Sequence, residues 1–126
     1  MGLFRNLLED TVITLTLVHL LQPSPVQSWT FDDESVIKVG RSNDNHVILY
    51  SAVVSRHHLK LQRFGINWRI ISLGGNGTYW DGKRISEATV IDGMILRLAT
   101  SGPQIKIHTG TAAFHNAPTA RFKSRC

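Results

Sequence analysis

Apolar and polar residues alternate over short stretches along most of this 126-residue chain. Ile13, Leu15 and Leu17 alternate with Thr14, Thr16 and Val18, the period of a half-buried strand. Gln22-Pro23-Ser24-Pro25 stops that strand, because proline supplies no ladder donor. Ser28 to Phe31 predicts a short strand carrying Trp29, and Asp32-Asp33-Glu34-Ser35 a polar turn. Val36, Ile37 and Val39 make the next strand, which ends at Gly40. Val47 to Leu49 is strand-like and Ser51 to Ser55 a loop. His58 to Arg63 alternates again, with Leu59 and Leu61 on one side. Phe64 to Asn67 is a turn and Trp68 to Ile71 a strand. Tyr79 to Ile85 is a tight hairpin with Asp81-Gly82 at its tip. Asp92-Gly93 turns the chain into Met94 to Leu98, and Gln104 to His108 is the last strand. About ten short strands separated by turns predict an all-β sandwich of two mostly antiparallel sheets. Leu3, Phe4, Leu7 and Leu8 have helical spacing and allow one short helical turn.

This pattern divides the chain into an N-terminal extension at 1–11, a sandwich domain at 12–108, and a tail at 109–126 without periodicity that is expected to be disordered. Of the five net positive charges, Arg121, Lys123 and Arg125 supply three, so the body is close to neutral. The single cysteine, Cys126, leaves no intrachain disulfide and no thiolate metal cluster. The apolar stretch Val12 to Leu21, broken by Thr14, Thr16 and His19, is shorter than the ~20 residues a membrane helix needs. A cytoplasmic protein with neither signal peptide nor membrane span is expected.

Three motifs stand where strands give way to turns. Gly40-Arg41 follows an apolar strand, and a guanidinium held there makes paired, charge-assisted bonds to phosphate or carboxylate. Ser55-Arg56-His57-His58 places a hydroxyl beside a second arginine, with His58 opening a strand and suited to turn inward and fix the loop. Asn76-Gly77-Thr78 lies in a glycine-rich turn, where the asparagine amide can serve a peptide backbone or its own chain. Gly74-Gly75 lacks the Lys-Ser/Thr and the helix of a nucleotide loop. His57 and His58 are adjacent on a strand and face opposite ways, so with His46 they do not make a zinc set. Trp29, Trp68 and Trp80 lie in strand-like segments and suit core packing better than base stacking. No nucleophile–base pair or carboxylate pair stands out, so an enzyme is not expected, and neither is a cofactor or metal.

In this order, and on an all-β pattern, these motifs resemble the forkhead-associated (FHA) family, over roughly Val12 to His108. The resemblance implies a sandwich of SMAD/FHA type whose loops at one end bind a phosphothreonine peptide. By position, Arg41 and Ser55 would contact the phosphate, Arg56 the phosphate or its surroundings, and Asn76 the peptide main chain. His58 would brace the loops, while Gly40, Gly77 and Thr78 would shape them. The chain departs from the family at Gly74-Gly75, where a polar pair such as Ser-Thr is common, and at Ser72, where an acidic residue is often found.

The resemblance implies a signalling adaptor or assembly factor whose partner is a phosphothreonine protein made by a Ser/Thr kinase. The alternative is a structural or oligomerisation sandwich with its anion site unused and a weak self-association. A nucleic-acid contact through the basic tail ranks below both.

Overall fold

The computed structural model describes residues 12–18 and 27–110. The helical turn near the N-terminus, the Pro23–Pro25 strand stop and the tail beyond 110 lie outside the described residues. Eleven strands, and no helix among the described residues, make two sheets. They are β1 (Ile13–Val18), β2 (Ser28–Phe31), β3 (Val36–Gly40), β4 (Val47–Ile48), β5 (Leu59–Phe64), β6 (Asn67–Ser72), β7 (Thr78–Trp80), β8 (Lys83–Ile85), β9 (Glu87–Thr89), β10 (Ile95–Leu98) and β11 (Gln104–Thr109). The six-stranded sheet runs β2-β1-β11-β10-β7-β8 and the five-stranded sheet β4-β3-β5-β6-β9. Every pairing is antiparallel except β3 with β4, where Val39 lies opposite Val47 and Gly40 opposite Ile48.

The two-residue period does what alternation requires: one side-chain row of each sheet faces the other sheet, and the next row faces solvent. Ile13, Leu15 and Leu17 from β1 meet Leu96, Leu98, Ile105 and Ile107 from β10 and β11 on the inner face. Ile37, Val39, Leu59, Leu61, Trp68 and Ile70 oppose them from the other sheet. Trp68 is 1% exposed, and Trp29 and Trp80 pack against the same core from its margins, so all three indoles serve the interior.

Three connections emerge at one end of the sandwich and carry the three motifs: β3–β4, β4–β5 and β6–β7. The first two hang from the five-stranded sheet. The third crosses from β6 in that sheet to β7 in the other. The Ala99 N–H donates to the Gly77 carbonyl (2.8 Å), so the β10–β11 connection backs the same end. Asp81 and Gly82 both have positive φ (54° and 81°), the backbone of a two-residue turn whose twist suits a hairpin.

Candidate functional site

Arg41 stands one residue past the end of β3. Its backbone N–H donates to the Ser55 carbonyl (3.0 Å) and its Nε to the Val54 carbonyl (3.0 Å). These bonds lay the arginine along the β4–β5 loop, and the residue as a whole is exposed. The Ser42 N–H donates to the Arg56 carbonyl (3.1 Å), doubling the bridge between the two loops. Gly40 makes this approach possible. A Cβ there would run into the Arg56 carbonyl oxygen and stand 2.9 Å from the Asn45 amide.

Asn45 is one of the residues that sequence reasoning missed. It is buried, and its Nδ2 donates to both the Ser42 and Arg56 carbonyls at 2.8 Å. The polar run Ser42 to Asn45 signals a turn, but not which of its members faces inward. Replacing Asn45 with alanine removes two side-chain hydrogen bonds, while each carbonyl keeps a backbone donor, and is expected to cost about 1–3 kcal/mol. Urea unfolding of the variant, beside the parent, reads that loss as a lower midpoint.

His58 is fully buried and joins the loops. Its Nδ1 accepts from the Ser55 N–H (3.0 Å), and its Nε2 donates to the Gly77 carbonyl (2.7 Å), which fixes the neutral Nε2–H tautomer. Its carbonyl accepts from Leu73 N–H (2.8 Å) and Gly74 N–H (3.0 Å), and its own N–H donates to Val39 (2.9 Å). One residue thus ties the end of β3, the serine loop and the glycine loop together. Gly77 holds φ at 87°, a conformation that costs glycine little. Thr78 is buried and its hydroxyl pairs with that of Ser72 (3.0 Å). The position where an acid is common therefore carries a hydroxyl–hydroxyl link across the same turn.

Asn76 is exposed, and its Nδ2 donates to the Val53 carbonyl (2.7 Å), spanning the two loops. Its Oδ1 accepts no hydrogen bond among the described residues. Arg56, next to Ser55 in the chain, is exposed, with no carboxylate partner among the described residues. The structure therefore brings Arg41, Ser55, Arg56 and Asn76 to one loop cluster, with Gly40, His58, Gly77 and Thr78 beneath. Gly74 has a local reason: a Cβ there would meet the Ser55 hydroxyl, so the glycine leaves room for the serine side chain. Arg84, not singled out from sequence, reaches from β8 and donates from Nη2 to the Gly75 carbonyl (3.1 Å). His46 and His57 pair with Glu34 (3.8 Å) and Asp44 (3.0 Å), not with each other.

A rigid loop cluster with solvent-facing guanidinium groups, a hydroxyl and an amide is suited to a tetrahedral anion on an extended chain. A family model for the FHA domain matches residues 37–99, half of the chain and all three loops. The chain belongs to the FHA domain family.

Over 76 residues this FHA domain is 37% identical to the transcriptional regulatory protein EmbR of Mycobacterium tuberculosis and to that of Mycobacterium bovis. The match covers 59% of this chain and 20% of EmbR, so the chain spans about a fifth of the length of these curated relatives. An FHA domain solved to analyse phosphothreonine-dependent FHA interactions superposes with a TM-score of 0.67 at 25% identity, covering 79% of this chain and 97% of that one. EmbR of M. tuberculosis in complex with a low-affinity phosphopeptide gives 0.63 at 26% identity, covering 77% of this chain and 24% of EmbR.

Two titratable groups of the FHA site are displaced from their ordinary values. Burial pushes the His58 imidazole below 6.5, with the Gly77 carbonyl acting in the opposite sense. The Ser42 hydroxyl and then His57 lower the exposed Asp44 carboxyl. For His58 the unfolded chain takes a proton near 6.5 while the folded chain still refuses it. The unfolded state then binds more protons, and stability falls as pH drops below about 6.5. Asp44 adds a loss of the same sign at lower pH, as its carboxylate is neutralised. Urea midpoints measured from pH 7.5 to 5.5 are expected to decline, and a flat profile would contradict the buried neutral ring.

Proposed function

We propose that this FHA domain is a phosphothreonine-peptide reader. It acts without catalysis as an adaptor that docks on the product of a Ser/Thr kinase. The observation that carries the proposal is the bridge through His58. It holds the Ser55 loop, beside which the Arg41 guanidinium lies, and the Asn76-Gly77 loop in one fixed arrangement. In this proposal Arg41 and Ser55 hold the phosphate, Arg56 adds charge beside it, and the Asn76 amide holds the peptide main chain. A phosphate carries about −1.5 to −2 charge and three strong acceptor oxygens, so donors fixed in advance discriminate it from a bare hydroxyl. A cytoplasmic location is part of the proposal, since it supplies the kinase.

The test is a titration of a phosphothreonine peptide library beside its unphosphorylated twin. Preference for the phosphorylated set is expected. Equal binding by both removes the proposal and favours a sandwich that self-associates with its anion site unused. Ser55→Ala is expected to weaken the phosphopeptide about tenfold, the value of one hydrogen bond to a charged group.

A further inference from the structure

The outer face of the six-stranded sheet carries a groove of about 720 Å3 that lies over β10, lined in part by Tyr79, Ile95, Arg97 and Gln104. Leu96 and Leu98 point into the core, so Arg97 and Ile95 between and before them face outward. Strand register builds a row across this face, with Arg84 opposite Tyr79, Tyr79 opposite Arg97, and Arg97 opposite Gln104. Lys106 lies opposite Ile95 in the next outward row.

Three cations thus share one face. Carboxylates form ion pairs elsewhere among the described residues, with His46, His57, Arg69 and His108, and none with Arg84, Arg97 or Lys106. Of these cations Arg97 lines the groove itself, together with Asp81, while Arg84 and Lys106 flank it on the same face; Asp92, outside the lining, already accepts from the Thr109 N–H (2.8 Å). Two of the cations are held in place: Arg97 Nη1 donates to the Gly102 carbonyl (3.0 Å) and Arg84 Nη2 to the Gly75 carbonyl (3.1 Å).

Strand spacing of ~4.8 Å and ~6.8 Å per two residues put Arg84 roughly 10 Å from Arg97, and Arg97 roughly 8 Å from Lys106. Carboxylates on alternate residues of an extended chain repeat at about 7 Å, close to that interval. The face is also continuous with the loop cluster. Tyr79 follows Gly77 by two residues, and Arg84 touches both the glycine loop and the groove row.

We propose that this groove is an auxiliary docking surface for an acidic, extended segment of the same partner that presents the phosphothreonine. The identity of that partner rests on the phosphothreonine reading, while the groove's preference for acidic chain does not.

Three peptides test it by fluorescence anisotropy and by amide chemical shifts: a short phosphothreonine peptide, the same peptide with an Asp/Glu-rich extension, and that extended peptide without phosphate. The extension is expected to tighten binding about fivefold at low salt, as two or three exposed ion pairs do, with the gain shrinking as salt rises. The Arg97→Gln/Lys106→Gln variant should lose the gain and keep the short peptide's affinity, and Lys106→Gln alone should lose part of it. Both extended peptides should move the amides of Ile95, Arg97, Gln104 and Lys106. If the extended peptides leave those amides unmoved, or the double variant keeps the full gain, the groove proposal is overturned. If the short phosphopeptide fails to bind while the unphosphorylated acidic one still moves those amides, the phosphothreonine reading falls and the groove stands.

Discussion

Arg41→Ala is expected to lower affinity for a phosphothreonine peptide by more than about a hundredfold while leaving the fold intact. The side chain is exposed, so its truncation opens no cavity. Its one internal side-chain bond, from Nε to the Val54 carbonyl, is part-buried, and the backbone bond to Ser55 stays. What disappears is the pair of terminal nitrogens. Hydrogen bonds to a charged group contribute roughly 1.5–3 kcal/mol each, so two of them amount to about 3 kcal/mol or more, and each 1.4 kcal/mol is a factor of ten. Arg41→Lys is expected to recover little, because an ammonium cannot present two parallel donors from one plane. Isothermal titration with the phosphorylated peptide, together with a melting curve for each variant, checks both halves of the expectation. A tenfold loss or less would remove Arg41 from the phosphate contact.

His58→Ala is expected to damage stability and binding together. The ring is fully buried, and its loss strands the Ser55 N–H, takes from the Gly77 carbonyl one of its two donors (the Ala99 N–H remains), and leaves a void. An unsatisfied buried group costs about 1–3 kcal/mol, and the void adds to it, for a total of roughly 3–5 kcal/mol. That is a large share of the 5–15 kcal/mol typical of a domain. For a sandwich of this size, a drop in melting temperature of about 12 °C or more follows. His57→Ala is the internal comparison. Its ring is half-exposed and pairs with the exposed Asp44, so a change within about 0.5 kcal/mol is expected. If the two adjacent histidines gave equal melting curves, the bracing role assigned to His58 would be wrong.

The sandwich was legible because its strands are written in alternation. Ile13, Leu15 and Leu17, or Leu59 and Leu61, announce which face is buried without help from distant sequence. β9 was not. Glu87-Ala88-Thr89 has no apolar alternation, and it is a strand only because Arg69, Ile70 and Ile71 offer it a ladder and Arg69 bonds Glu87 and Thr89. The three loop motifs were legible for a related reason: each combines a strand end with residues that suit a tight backbone. Asn45 and Arg84 escaped because their use depends on contacts 11 and 9 residues away. Gly74 was visible as a departure, but its fit against the Ser55 side chain exists only once β5 and β6 are paired.

The route of the chain through the site has one more consequence. Arg41, Ser55 and His58 precede the exposed turn at Gly65, whereas Asn76 and Gly77 follow it on the way into the opposite sheet. A ligand gripping Arg41 and Asn76 at once therefore clasps both layers of the sandwich. Since the unfolded chain offers no such clasp, saturating the domain at a hundred times its dissociation constant adds about 2.7 kcal/mol to the work of pulling it apart. Occupancy would then double as mechanical reinforcement, and the phosphorylated state of the partner would set how long this module survives heat or proteases.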